Sequence, residues 1–91
     1  MKIETENNSY LHYSIFEDRI DIDEIKSFAK GDGSKMLKEL KDISRGINLP
    51  IELYSEPQDN TISQQDLNEF YKKNGFELHH DDTDNSYFIF K

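Results

Sequence analysis

Apolar and polar positions alternate along this chain with two different periods, and the switches between them predict its elements. Residues 2–6 read as a short strand and Asn7-Asn8 as a turn. Residues 10–17 are rich in Tyr, Ile and Phe and predict a second strand, closed by a tight hairpin at Glu17-Asp18-Arg19. From 20 to 25 the period is two: Ile20, Ile22 and then Glu24 face one way, Asp21 and Asp23 the other. Residues 26–30 are a loop. The period then lengthens. Met36, Leu37, Leu40, Ile43 and Ile47 keep helical spacing and predict a helix over 34–45, with Gly46 as its left-handed cap.

Residues 49–54 return to period two, with Ile51 and Leu53 set against Glu52 and Tyr54. Pro50 stands near the start, where a missing donor is tolerated. Residues 55–61 are a polar loop containing Pro57. Ser63, with Asp66 three residues on, predicts the N-cap of a second helix. That helix carries Leu67, Phe70 and Tyr71 on one face and stops at Asn74-Gly75. A strand starts at 76–78, residues 79–85 form a polar turn, and 86–90 make a last aromatic strand. The order β-β-β-α-β-α-β-β predicts one α/β (α+β) domain over 1–91. Antiparallel hairpins flank a right-handed crossover to a parallel fourth strand, in a mixed sheet with helices on its faces.

Composition narrows this picture. At 91 residues the chain is one domain with a limited core, which eleven aromatics (Tyr 5, Phe 6) help to fill. A bound ligand or a homodimer would add stability by mass action. The absence of cysteine excludes a disulfide or a thiolate zinc site and fits a reducing compartment. No apolar run is long enough to cross a membrane and no signal peptide is evident, so a cytoplasmic protein is expected. The net charge of −8 disfavours direct binding of nucleic acid and favours a basic partner. Against that acidic background Lys26, Lys30, Lys35, Lys38 and Lys41 gather around residues 30–34. They form either a solvated helix face or a local patch for a phosphorylated ligand. The run His79-His80-Asp81-Asp82-Thr83-Asp84 reads as a solvated hairpin and not a metal site, because it lacks the spacing of zinc or calcium ligands.

The candidate chemistry centres on Lys30-Gly31-Asp32-Gly33-Ser34, which joins a strand to the first helix. Two residues without a Cβ let the backbone turn and approach a ligand closely. The first helical turn then offers unpaired N–H groups and a positive dipole end, which suit a phosphate or pyrophosphate. A plain tight turn uses the same spacing. Glu24, Glu52 and Glu56 are the carboxylates available as a general base, and Tyr71 reads either as a core residue or as a proton donor.

Gly31 and Gly33 fit the pattern Arg/Gln-x-x-Gly-x-Gly/Ala at a helix start; Phe70, Tyr71, Gly75 and Phe76 fit Phe/Leu-Tyr-x-x-x-Gly-Phe at a later helix end. Over about 10–90 the chain therefore resembles the GCN5-related N-acetyltransferase (GNAT) family. Stretches such as 49–54, 57–59, 62–64 and 66–67 look like the small phage-encoded anti-CRISPR acetyltransferases that inhibit type V-A (Cas12a) nucleases. The resemblance implies transfer of acetyl from acetyl-CoA to a lysine of a basic protein partner, such as the PAM-reading lysine of a CRISPR nuclease. It implies that Lys30, Gly31, Asp32, Gly33, Ser34 and Lys35 hold the pyrophosphate. It also implies a strand amide near Glu24 or Ile25 at the thioester, Tyr71 as general acid and Glu24 as a candidate base. Phe28 stands where the pattern has Arg or Gln, and Gln64 where it has Asn. Asp32 puts a carboxylate between the two glycines, tolerable if it points away and repulsive if it points in. The family's two helices between its first two strands are missing, which leaves that side open to a protein surface. The alternative on the same fold is a catalytically inactive, acidic binding module.

Overall fold

The computed structural model describes residues 1–55, 63–81 and 86–91. Its strands are β1 (Lys2–Glu4), β2 (Tyr10–Ile15), β3 (Ile20–Lys26), β4 (Ile51–Ser55), β5 (Glu77–Asp81) and β6 (Ser86–Phe90). Helix α1 (Asp32–Ile47) joins β3 to β4, and α2 (Gln64–Lys73) lies between β4 and β5. The six strands form one mixed sheet in the order β1-β2-β3-β4-β6-β5. Only β3 and β4 pair in parallel, as the crossover requires. Between β1 and β2 the chain makes only a bend, with Asn8 at φ 65° and Thr5 N–H donating to the Ser9 carbonyl at 3.0 Å. No helix lies between these two strands, as expected.

The core holds Leu11, Ile20, Leu37, Leu40, Ile51 and Phe88, all removed from solvent. Burying each such side chain stabilises the fold by about 2 kcal/mol before entropy is charged. Both helices share this one cluster with Ile51 and Leu53. They also touch each other: Lys41 Nζ donates to the Asn74 carbonyl at 2.8 Å, and Phe70 lies against Gly33. Glu52, Tyr54 and Tyr87 alternate to the opposite face, where Tyr54 is 67% exposed. The helices therefore cover one face and not both, and the other face is bare among the described residues.

Several boundaries move. Helix α1 is two residues longer at each end than the spacing predicts, and Gly46 lies inside it. Asn48 takes the left-handed cap position at φ 59°, and its N–H donates to the Ser44 carbonyl. Asn tolerates that conformation, and the Asn48 and Leu49 N–H groups, both on the Ser44 carbonyl, close the helix beyond a glycine that costs only about 1 kcal/mol. His79, His80 and Asp81 belong to β5, because β6 offers Tyr87 and Ser86 as cross-strand partners. Residues 82–85 of the expected turn lie outside the described residues. The capped start of α2 has the geometry read from sequence, with Ser63 Oγ accepting from Asp66 N–H at 3.1 Å.

One irregularity matters most. In the β2–β3 pair, Tyr13 faces Ile22 but His12 faces Glu24, so Asp23 is an extra residue in β3. This bulge shifts the alternation: Ile25, opposite Leu11, rejoins the side of Ile22, and Glu24 does not, against the simple period. Bulges also bend a strand. The pairing of β3 with β4 runs only through Ile20–Ile51 and Asp21–Glu52, while β3 continues to Lys26 and β4 to Ser55. The sheet is thus split by a wedge. No helix is long and apolar enough to cross a membrane among the described residues.

Candidate functional site

The wedge ends at the start of α1. Gly31 is the N-cap, at φ 90°, and no side chain caps the helix. Asp32 N–H donates to the Ala29 carbonyl at 3.2 Å, and Lys35 N–H to the Gly31 carbonyl at 3.0 Å. Of the amides at 31–35, these two are spent on the turn and the helix. Those of Gly31, Gly33 and Ser34 have no acceptor among the described residues. Three donors at a helix N-terminus form a cradle for an anion. A Cβ on Gly33 would lie 2.9 Å from the Phe70 ring, so only glycine leaves both the cradle and that ring in place.

Asp32 points away from this cradle. Its Oδ2 accepts from Ser9 Oγ at 2.7 Å, Thr5 Oγ1 at 2.8 Å and Asn7 Nδ2 at 3.3 Å, and the residue is buried. Ser9 Oγ in turn accepts from Phe28 N–H at 2.8 Å. The bend that replaces two helices thereby braces the glycine loop. The Ser9 and Thr5 hydroxyls hold the Asp32 carboxyl below its ordinary range, with smaller help from Asn7 and Lys35. Phe28 contributes its amide here; its ring is exposed beside Lys26 Nζ.

A cavity of about 780 Å³ fills the helix side of the wedge. Of the residues implicated by sequence, Glu24, Ile25, Lys30, Gly31, Gly33, Ser34 and Tyr71 line it, while Asp32 and Lys35 do not. The sequence reading missed Lys73 and Asn74, which also line it from the end of α2. The clustered lysines divide: Lys26 and Lys30 border the cavity, Lys35, Lys38 and Lys41 do not, and Lys41 is tied to Asn74. Tyr71 is 3% exposed and packs edge-on against Phe76 and at a tilt against Phe88, yet it borders the cavity. It is thus a core residue at the cavity wall. Its hydroxyl has no hydrogen-bond partner among the described residues, and burial raises its pKa, so it keeps its proton at neutral pH. Gln64 donates to the Ser55 carbonyl at 2.8 Å and to Asn68 Oδ1 at 2.7 Å, and Asn68 donates to Ser86 Oγ at 2.9 Å. These bonds fix α2, and with it Tyr71, against β4 and β6.

A second cavity, about 550 Å³, opens on the bare face. It shares Ile22, Asp23, Leu53 and Tyr54 with the first and adds Arg19, Asp21, Glu52 and Tyr87. The Tyr87 hydroxyl donates to Glu52 Oε1, which with burial pushes the phenol up to about 12. Glu56, the third carboxylate considered, lies outside the described residues.

No protein-family model matches the sequence, and no curated protein matches it. Solved structures do. The PaiA N-acetyltransferase of Thermoplasma acidophilum, in complex with coenzyme A, superposes with a TM-score of 0.70 at 19% identity, over 91% of this chain and 52% of that one. A GNAT-family protein of Bacteroides thetaiotaomicron gives 0.64 at 15% identity, over 98% of this chain and 58% of that one. The split sheet with a glycine-led helix at its opening is thus the GNAT fold, and this chain spans little more than half of those two proteins. The anti-CRISPR protein AcrVA5 is similar throughout: 44% identity over 100% of this chain and 97% of that one, with a TM-score of 0.85. The chain belongs to the AcrVA5 family.

Proposed function

We propose that this protein transfers acetyl from acetyl-CoA to a lysine side chain of a partner protein, and that the partner is a Cas12a-type CRISPR nuclease. One observation carries the chemistry. The three unpaired amides of Gly31, Gly33 and Ser34 and the proton-bearing phenol of Tyr71 border a single cavity in the β3–β4 wedge. The kinship with AcrVA5, an anti-CRISPR protein, supports the choice of partner. The PaiA counterpart, solved with coenzyme A, supports the choice of cosubstrate.

The residues present fit the cosubstrate. The cradle is free of the Asp32 carboxylate, and Lys30 and Lys73 border the same space. Bound acetyl-CoA supplies an acetyl group activated as a thioester. The amides hold the pyrophosphate, and backbone groups of β3 beyond Asp21, which lack a β4 partner, are available to the chain that follows it. Tyr71 gives its proton to sulfur as the carbon–sulfur bond breaks. Acetylation of a PAM-reading lysine removes one charge and one donor from a DNA-reading site.

Calorimetry with acetyl-CoA tests the first half, and saturable heat is expected. Mass spectrometry of the nuclease after incubation with protein and acetyl-CoA tests the second, by a gain of acetyl on lysine. Tyr71→Phe should lower turnover about 100-fold while acetyl-CoA still binds. No heat and no thermal shift would leave only an acidic binding module.

A further inference from the structure

The β3–β4 wedge opens on both sides of the sheet, and the two cavities meet at Ile22, Asp23, Leu53 and Tyr54. We infer that the acceptor lysine enters from the bare face and that Glu52, held by Tyr87, is the catalytic group that receives its ammonium proton. The inference rests on the acetyltransferase reading and assigns the acceptor half of that site.

Glu52 is the last β4 residue paired with β3, opposite Asp21, so it stands at the apex of the wedge. Tyr87 binds its Oε1, and Oε2 has no partner among the described residues. The other carboxylates of this mouth are engaged. Asp21 accepts from Arg19 Nε at 2.9 Å, and Asp23 accepts from Ser14 Oγ at 2.7 Å. Glu24, on the bare face beyond the bulge and opposite His12, has no side-chain hydrogen bond among the described residues, but it does not line this mouth. The Tyr54 and Tyr87 rings, 4.9 Å apart, give an apolar wall on which the methylene stem of a lysine can lie while its head reaches Glu52. A cation beside those rings gains a further attraction.

The protons balance as follows. The lysine ammonium gives one proton to Glu52, which passes it to solvent. The freed nitrogen bonds to the acetyl carbon, the carbon–sulfur bond breaks, and sulfur takes the proton of Tyr71. The second proton of the nitrogen returns through solvent to the Tyr71 phenolate. The products are an amide, a free thiol and one released proton.

The test compares wild type with Glu52→Gln, Glu52→Asp, Tyr87→Phe and Glu24→Gln. Two peptide acceptors are used, one with lysine and one with S-aminoethylcysteine, whose ammonium is more acidic. Glu52→Gln should lose about 100-fold in kcat/KM on lysine and clearly less on the more acidic amine. Acetyl-CoA binding should be unchanged by calorimetry. Tyr87→Phe should lose about tenfold, Glu52→Asp should restore part of the rate, and any loss in Glu24→Gln should be equal on the two acceptors. Wild-type turnover by Glu52→Gln, an equal loss on both acceptors, or an acceptor-dependent loss that follows Glu24 instead would overturn the inference while leaving the acetyltransferase standing. A wild-type protein that neither binds acetyl-CoA nor acetylates either peptide would remove the reading beneath it. If Glu52→Gln does not fold, Tyr87→Phe decides, since it removes only one hydroxyl.

Discussion

Asp32 decides whether an anion can lie on the start of α1, since a carboxylate aimed into the cradle would repel it. Its neighbours are three donors from the bend at 5–9, and they turn the charge into a brace. Asp32→Ala should release Ser9, loosen the Phe28 amide it holds, and weaken acetyl-CoA binding about tenfold by calorimetry, with a lower melting temperature. The pH dependence has a definite sign. The folded carboxyl titrates below its ordinary value of 3.8, so the native state binds fewer protons than the unfolded chain. Its contribution is present above 3.8 and is lost as pH falls through the lower, folded value. Melting curves taken down to about pH 2 should therefore show a steeper acid limb in wild type than in Asp32→Asn. None of this was legible beforehand. Thr5, Asn7 and Ser9 are ordinary turn residues in sequence, and nothing local marks them as partners of a residue more than twenty positions on.

Helix α1 separates the uses of its two leading glycines. Gly31 is needed for its backbone, at φ 90°, and a Cβ there would touch nothing within 4 Å. Gly31→Ala should cost about 1–2 kcal/mol of stability, read by denaturant unfolding. Gly33 has no such backbone demand. A Cβ there would meet the tip of the Phe70 ring at 2.9 Å, and Phe70 borders the cavity. Gly33→Ala should be close to neutral in stability, because helix propensity gains up to about 1 kcal/mol while the ring moves. Acetyl-CoA binding should still weaken by about tenfold or more as the ring crowds the cradle. Equal effects of the two substitutions on binding and folding would contradict this division. The motif spacing in sequence revealed both glycines, because a glycine pair before an apolar 3.6-residue stripe is a local signal. The helix end was misread for the opposite reason. Gly46 is the residue local rules favour as a stop, but the helix closes where the Asn48 and Leu49 N–H groups meet the Ser44 carbonyl, two residues later.

Across the whole molecule, the element order followed from the two periods, since each strand and helix buries one face of its own sequence. The wedge was hidden because a single bulge at Asp23 creates it, and Ile20 to Asp23 keeps a regular alternation up to that point. The bare face followed indirectly, from two missing helices, but its pairing of Glu52 with Tyr87 joins residues 35 positions apart and has no local mark. That face also shapes how a partner arrives. The chain carries a net charge of −8, and the exposed Glu17-Asp18 tip precedes Arg19 at the second mouth. Charges held this way steer a basic partner over distances that salt screens, and they add little once contact is made. The Asp18–Arg19 pair, 3.0 Å apart on the surface, contributes little to folding. Glu17→Gln with Asp18→Asn should therefore leave melting temperature and kcat unchanged. It should lower kcat/KM toward the proposed nuclease about threefold to tenfold at low ionic strength, and the difference should vanish at high salt. A deficit that persists at high salt would mean that the tip touches the partner directly, and that recognition there is by contact instead of by field.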